Sequence, residues 1–435
     1  YAGAIADWFD YSLLCETARL RPKYSFVLVG GYGLEQNLVT SIASRFEGIP
    51  NIHTLGHRPH AEIPGLIQQF DVCTIPFVLD AVTEATDPVK MYEYFSLGKP
   101  IVASNMPELA QCADLLYTAS NAREFAAEID RALEEPEGLR DRRIAFASIN
   151  TWRNRYRAID RGVIKAFDLV SVVIVTHNSG EYLRLCLDSV LGLTAYPNFE
   201  LITVDNASDD GTTEILTEYA ARDCRIRPKQ LDKNLGFAKG NNVGVSLATG
   251  RFIVLLNPDT IVTRNWLATL LSHCRTQTGL VSPVTNWAGN EVKINVDYRD
   301  RISMENFAAG LTHGRRGDEM RVDMVPLFCT LIPRQVWDAV GDLDERFSIG
   351  MFEDDDYSLR VREAGYEIVI AEDCFIHHFG NGSFGQLEKE RYDGIFQQNR
   401  ESFEAKWNRR WQSHSYRTGV VDDHFRFSPV DFEED

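Results

Sequence analysis

Four carboxylates in a row, Glu353-Asp354-Asp355-Asp356, open an amphipathic segment that continues through Tyr357-Ser358-Leu359-Arg360-Val361-Arg362. Acids at a helix start meet unpaired N–H groups and the positive end of the helix dipole, so capping accounts for one or two of them. Four exceed that need. Upstream, Asn257-Pro258-Asp259 turns off the end of one apolar run, and downstream His377-His378 ends another. An acid able to take a proton, a turn acid and a histidine are together what a metal-assisted group transfer onto a hydroxyl requires.

Such groups need strand ends to hold them. Apolar runs at Val170–Val175, Glu200–Val204 and Phe252–Leu256 alternate with helical spacing over Glu181–Leu191, Thr212–Ala221 and Trp266–His273, which predicts an α/β domain with buried parallel strands. Ligands of open α/β sheets bind beyond the carboxyl ends of the strands. Three of those ends carry polar, turn-forming residues: Thr176-His177-Asn178, the stretch Asp205–Thr212, and Asn257-Pro258-Asp259. Each alone suits a turn, and their recurrence points to a site. The first half alternates likewise: strands at Phe26–Val29, Asp71–Pro76 and Pro100–Ala103, helices at Leu34–Phe46 and Val89–Leu97. Residues 121–164 read as closing helices and a connector. The boundary falls near Lys165–Asp168, giving domains 1–165 and 169–435.

A chain of 435 residues exceeds what one core usually supports, so two domains are expected. The net charge of -18, with no compensating Lys/Arg block, argues against nucleic acid as a partner. Eight widely spaced cysteines without a C-x-x-C pair signal neither zinc nor a disulfide framework and are expected to be buried thiols in a reducing compartment. No apolar run approaches the roughly 20 residues of a membrane span and no secretory signal is visible, so a cytoplasmic location is expected. The chain starts at Tyr1 rather than Met, which leaves room for an upstream segment.

From about Leu169 to Trp411, the ordered stretches Val170–Asn178, Val204–Ser208, Asn234-Leu235-Gly236-Phe237-Ala238, Asn257-Pro258-Asp259, Gly341–Phe347, the acidic run and Phe375–Gly380 resemble the inverting family 2 glycosyltransferases of GT-A fold. They look most like the bacterial branch that builds surface polysaccharides, with rhamnosyl- and galactofuranosyltransferase-like members. The resemblance implies a mixed central sheet. It implies that Thr176 and Asp205 hold the nucleotide base of a nucleoside-diphosphate sugar, with Asn178, Asn234 and Asn257 in the same donor pocket. Asp259 stands where the last acid of the family's D-x-D motif binds a divalent ion, Mg²⁺ or Mn²⁺, although Asn257 and Pro258 replace the earlier motif positions. His378 is the implied second metal ligand and His377 the packed neighbour. Asp354 is the implied general base, Glu353 its support or an acceptor contact, and Asp355 and Asp356 the helix caps.

Other features leave alternatives open. Val281–Trp287 and Trp337 could line the acceptor side or pack in the core. Glu388–Trp411 has aromatic residues at helical spacing, as for docking on the domain, and its Lys406, Arg409 and Arg410 keep a lipid-surface role open. In the first half, Gly30-Gly31-Tyr32-Gly33 fails the dinucleotide spacing and reads as a phosphate-facing turn. Lys90 and Glu93 share a helix face and form either a diphosphate and ribose contact or a surface ion pair.

Residues 1 to about 164, through Tyr1–Asp10, Gly56-His57-Arg58, Ile75-Pro76-Phe77 and Asp87–Pro100, look like the C-terminal, donor-binding half of a GT-B glycosyltransferase. That implies Gly31, Arg58 and Lys90 near a diphosphate, Glu93 near the ribose, and no metal at His53, His57 or His60. The expected whole is a bacterial glycosyltransferase of two Rossmann-like domains, hexosyl- or deoxyhexosyl-transferring, that extends a glycan or lipid-linked glycan. It would lie in the cytoplasm or at the inner face of the membrane, with other assembly enzymes as partners. The rival is a non-catalytic nucleotide-sugar-binding scaffold.

Overall fold

The computed structural model describes residues 1–31, 46–136, 138–347, 349–380, 389–421 and 427–432. Within the unit Tyr1–Asp160, short apolar runs become parallel strands. β1 (Phe26–Val29) pairs with β2 (Ile52–Gly56), and β3 (Cys73–Ile75), β4 (Ile101–Ser104) and β5 (Tyr117–Ala119) form a second parallel group. β4 is buried along its length, as a central parallel strand should be. The helix Val89–Ser96 follows the predicted span, whereas nearly all of the Leu34–Phe46 helix lies outside the described residues. Two closing helices follow at Ala122–Leu133 and Leu139–Ile149, and a third, Trp152–Ala166, runs past Asp160 into the next unit and buries none of its residues.

The unit Arg161–Asp435 is built on β6 (Val170–Thr176), in which every residue but Ser171 is β-branched and all but one are buried. It lies between β7 (Phe199–Asp205) and β9 (Phe252–Leu256), all parallel, with β8 (Ile226–Gln230) at the edge. Pro228 cannot donate to a ladder, which suits an edge. Beyond β9 the sheet turns mixed through β11 (Thr278–Val284), β12 (Glu319–Val322), antiparallel β13 (Cys329–Pro333) and β14 (Glu367–Phe375), giving eight strands in the order β12-β14-β11-β13-β9-β6-β7-β8. A separate antiparallel pair joins β10 (Thr260–Ile261) to β15 (His377–His378).

The helix Gly180–Leu193 turns Leu183, Cys186, Leu187 and Val190 into the core at helical spacing. Helix Gly236–Leu247 comes closer to the sheet than a side chain allows. A Cβ on Gly240 would lie 2.7 Å from a Val175 methyl, and one on Gly244 2.3 Å from a Val173 methyl. Glycine at both positions is what brings this helix, and the turn before it, against the ends of β6 and β7.

Six of the eight cysteines are buried, Cys274 is half-buried, and Cys224 is exposed, contrary to its expected burial. Among the described residues no helix is long and apolar enough to cross a membrane.

Candidate active site

Strand register brings Thr176 directly opposite Asp205 at the carboxyl ends of β6 and β7, with both side chains buried. Asp205 accepts from the Ser208 backbone N–H at 3.0 Å and from the Thr213 hydroxyl, which anchors its loop. The buried Thr176 hydroxyl has no hydrogen-bond partner among the described residues. Asn178 adopts a left-handed φ of 52° and exchanges hydrogen bonds with Asp209 at 2.8 and 2.9 Å. Asn206, buried beside Asp205, donates to the Gly236 carbonyl at 3.1 Å and accepts from Leu235 N–H at 2.8 Å. The exposed Asn234 accepts from Gly236 N–H at 2.9 Å, folding the turn that starts the close-packed helix.

That helix in turn holds the approach to the acidic run. Phe237 N–H donates to the Ile349 carbonyl at 3.1 Å, and Asn242 bonds both backbone groups of Leu343 at 2.9 Å.

Asn257 O accepts from the Thr260 hydroxyl, and the turn places the buried Asp259 beside β15. Thr260 pairs with His378 in register, and His378 Nε2 lies 3.3 Å from Asp259 Oδ1. The His378 Nδ1 lies 3.1 Å from the Trp287 carbonyl, which can only accept, so Nδ1 carries a proton. Asn286 clamps His378 at both backbone groups, at 2.8 and 3.0 Å, and Phe328 stacks on the ring at 4.9 Å.

These two residues fit a shared cation. Fixing the outer nitrogen through a carbonyl is how ligating histidines are oriented. The 3.3 Å separation is near that of adjacent ligands of one octahedral ion, about 3 Å for bonds of about 2.1 Å. No cluster of three or more such ligands exists among the described residues, so an ion here would take its remaining ligands from outside the protein.

His377 points elsewhere. It is buried against Phe379, Phe427 and Phe432, with Tyr298 Oη 2.6 Å from its Nδ1, and burial followed by the neighbouring His378 lowers it to about 3.

The acidic run starts the helix Glu353–Glu363 after three positive-φ residues: Gly350 (152°), Met351 (77°) and Phe352 (74°). Two bulky residues in that region are strained, and neighbouring structure must hold them. The buried Asn399 does so, donating to the Gly350 and Met351 carbonyls at 2.8 and 3.3 Å, while Phe352 packs on Phe396, Phe403 and Trp411.

The four acids then separate by environment. Asp356 is fully buried, bonded to Arg360 at 2.9 Å, Lys406 at 2.5 Å and Trp407 Nε1 at 2.9 Å. Asp355 meets Trp411 Nε1 at 3.3 Å and His414 at 2.9 Å. Neither caps the helix, contrary to expectation. The cap residue is Phe352, without a side-chain cap bond, because these carboxylates are taken by the C-terminal segment.

Asp354 accepts only the Asp355 N–H at 3.0 Å among the described contacts, and burial, then the Asp355 charge, raise it to about 7. Burial, then Asp354, push Glu353 well above the usual carboxylate range, and its Oε2 has no partner among the described residues. Asp356→Asn should leave the half-buried Arg360 and Lys406 undercompensated and cost about 2 kcal/mol, read as a lowered urea midpoint.

Residues 171–334 match glycosyl transferase family 2, and residues 6–135 match glycosyl transferases group 1. The chain carries a glycosyl transferase family 2 domain. It is 37% identical over 103 residues to Glycosyltransferase GlyG of Streptococcus pneumoniae serotype 4, covering 24% of this chain and 34% of that one. It is 28% identical over 284 residues to Uncharacterized protein y4gI of Sinorhizobium fredii, covering 61% of this chain and 30% of that one. To the O-antigen biosynthesis protein RfbC of Myxococcus xanthus it is 25% identical over 235 residues, covering 48% and 17%. The chain thus spans about a third or less of the length of these relatives.

Outside the family 2 domain, the unit Tyr1–Asp160 brings Gly3, Gly30 and Lys90 together. A Cβ on Gly30 would fall 1.9 Å from the Gly3 carbonyl oxygen, so a close backbone approach already accounts for that glycine. Gly31 is half-buried beside it, and its carbonyl accepts from Ile5 N–H at 3.0 Å. Lys90 lies over the Tyr1 and Phe77 rings at 5.1 and 5.2 Å, and burial lowers it while Glu93 raises it. No ion pair joins Lys90 to the exposed Glu93 among the described residues, because the aromatic seat draws the ammonium away. Arg58 is exposed in the loop after β2.

In the family 2 domain, Trp287 is half-exposed beside His378, whereas Trp337 is core, bonded to Asp342 at 3.1 Å. Residue type gives no role to Asn206, Asn286 or Asn399, and keeps a lipid-surface role open for Lys406 in place of the one it has beside the acidic run. The first two adjoin motif residues. The last two lie over 40 residues beyond the turn they hold.

Proposed function

We propose that the family 2 domain transfers a sugar from a nucleoside-diphosphate sugar to a hydroxyl of a bacterial surface glycan, free or lipid-linked, with inversion. The carrying observation is the pairing of a buried Asp259–His378 site with a separate half-buried acid, Asp354, raised to about 7. Asp354 takes the proton of the acceptor hydroxyl as oxygen attacks the anomeric carbon, and a base poised near neutral pH suits that step. Glu353, buried beside it with an unpartnered Oε2, supports Asp354 or contacts the acceptor. Thr176 and Asp205 offer the base of the donor a buried hydroxyl and carboxylate at adjoining strand ends, framed by Asn178, Asn234 and Asn257. Asp259 and His378 hold Mg²⁺ or Mn²⁺, which when bound stabilises charge on the departing diphosphate. The role named for one relative, O-antigen biosynthesis, supports a surface glycan as product, and this reading sets the work at the cytoplasmic face of the membrane.

The test is a panel of nucleotide sugars and glycan acceptors, with the product's anomeric configuration read by NMR. Inversion is expected; retention would overturn the single-displacement mechanism. The fragment Leu169–Asp435 should also fold and transfer sugar. A folded but inactive fragment would move part of the chemistry into the group 1 segment.

A further inference from the structure

The C-terminal helix Lys389–Trp407 turns Lys406 inward, leaving Arg409 and Arg410 as the exposed cations beyond its end. Lys406 is held by Asp344 at 2.6 Å and Asp356 at 2.5 Å, Trp407 by Asp356, and Arg409 sits over Phe403 at 5.8 Å. A different helix has the character a lipid surface requires. Trp152–Ala166 buries no residue, yet Trp152, Tyr156, Ile159 and Val163 recur at helical spacing along one stripe, exposed by 72, 69, 68 and 45%. Ile149, just before it, is also exposed.

A helix of this length is marginal in water by itself, and in proteins its stability comes mainly from covering an apolar face. Among the described residues that stripe stays largely exposed. The helix carries Arg153, Arg155, Arg157, Arg161 and Lys165 against the single acid Asp160, in a chain whose net charge is -18. Arg155 also anchors it, bonding Asp87 and Tyr92 at 2.6 Å. A Trp/Tyr/Ile/Val stripe with a basic opposite face is the composition of a helix that lies in the plane of an anionic bilayer surface, rings at the headgroup level and cations near lipid phosphates.

We propose that Trp152–Ala166 docks this protein on an anionic lipid bilayer. The inference extends the proposed membrane-side workplace but stands on the helix, independent of the transfer chemistry. The test is sedimentation of the full chain with vesicles of phosphatidylglycerol and phosphatidylcholine, against phosphatidylcholine alone. Binding is expected to the anionic vesicles only, and to weaken in high salt. Trp152→Glu/Ile159→Glu, at two exposed sites, should lower the bound-to-free ratio by about tenfold or more, whereas Arg409→Glu/Arg410→Glu should change it little. The first variant should keep wild-type nucleoside-diphosphate release with a soluble acceptor; if wild type also releases none, the transfer reading fails and the docking result stands. Absence of vesicle binding by wild type, or undiminished binding by Trp152→Glu/Ile159→Glu, would overturn the proposal. So would concentration-dependent self-association, in the absence of vesicle binding, that these substitutions abolish, since it would assign the stripe to a second copy of the chain.

Discussion

Asp354→Asn is expected to reduce turnover by roughly 10²-fold or more while nucleotide-sugar binding survives. The substitution keeps side-chain size and an oxygen for the Asp355 N–H, and removes only the proton acceptor. Since burial and the Asp355 charge raise this carboxyl to about 7, wild-type turnover should climb as pH rises through about 7 and level above it. The residual activity of Asp354→Asn should lack that limb. Stability has the opposite sense. A folded state that favours the protonated carboxyl gains its full contribution below the ordinary carboxylate range and loses it as pH rises through about 7. Kinetics and thermal melts across pH 5 to 9 read both. Normal turnover by Asp354→Asn with a dead Glu353→Gln would assign the base to the neighbour.

Removing the divalent ion should have a comparable effect. EDTA should abolish turnover, added Mg²⁺ or Mn²⁺ should restore it, and Asp259→Ala should remain at least roughly 10²-fold slower even at saturating ion. Asn286→Ala leaves Asp259 and His378 in place but frees the His378 backbone, and should weaken ion affinity by roughly 10- to 100-fold with little change in saturated turnover. Calorimetric titration with Mn²⁺ in the presence of donor separates these outcomes. Full activity in EDTA would remove the cation from the mechanism.

The strand ends were legible because local chemistry determines them. The β-branched run at Val170–Thr176 forms a buried strand in any α/β setting, and the polar residues after it fall at its carboxyl end. Asp259 and His378 could be named together only through the family resemblance, since the two-residue pairing of β10 with β15 leaves almost no periodic signal. The fate of the four acids was less legible. Capping propensity treats Asp355 and Asp356 as local groups, yet Lys406, Trp407, Trp411 and His414 claim them from at least 50 positions away. Lys90 followed the same logic: spacing offers it Glu93, and tertiary structure offers it the rings of Tyr1 and Phe77. Where residue partners are remote in sequence, type and spacing report the element and not the contact.

The measurement closest to the central claim is acceptor-dependent release of nucleoside diphosphate by the full chain with Mg²⁺ or Mn²⁺, run beside donor binding on the same sample. Release that needs both acceptor and ion, and that collapses in Asp354→Asn while donor binding persists, is the expected result. Tight donor binding with no release from any donor and acceptor pair would contradict it and make the chain a nucleotide-sugar-binding scaffold.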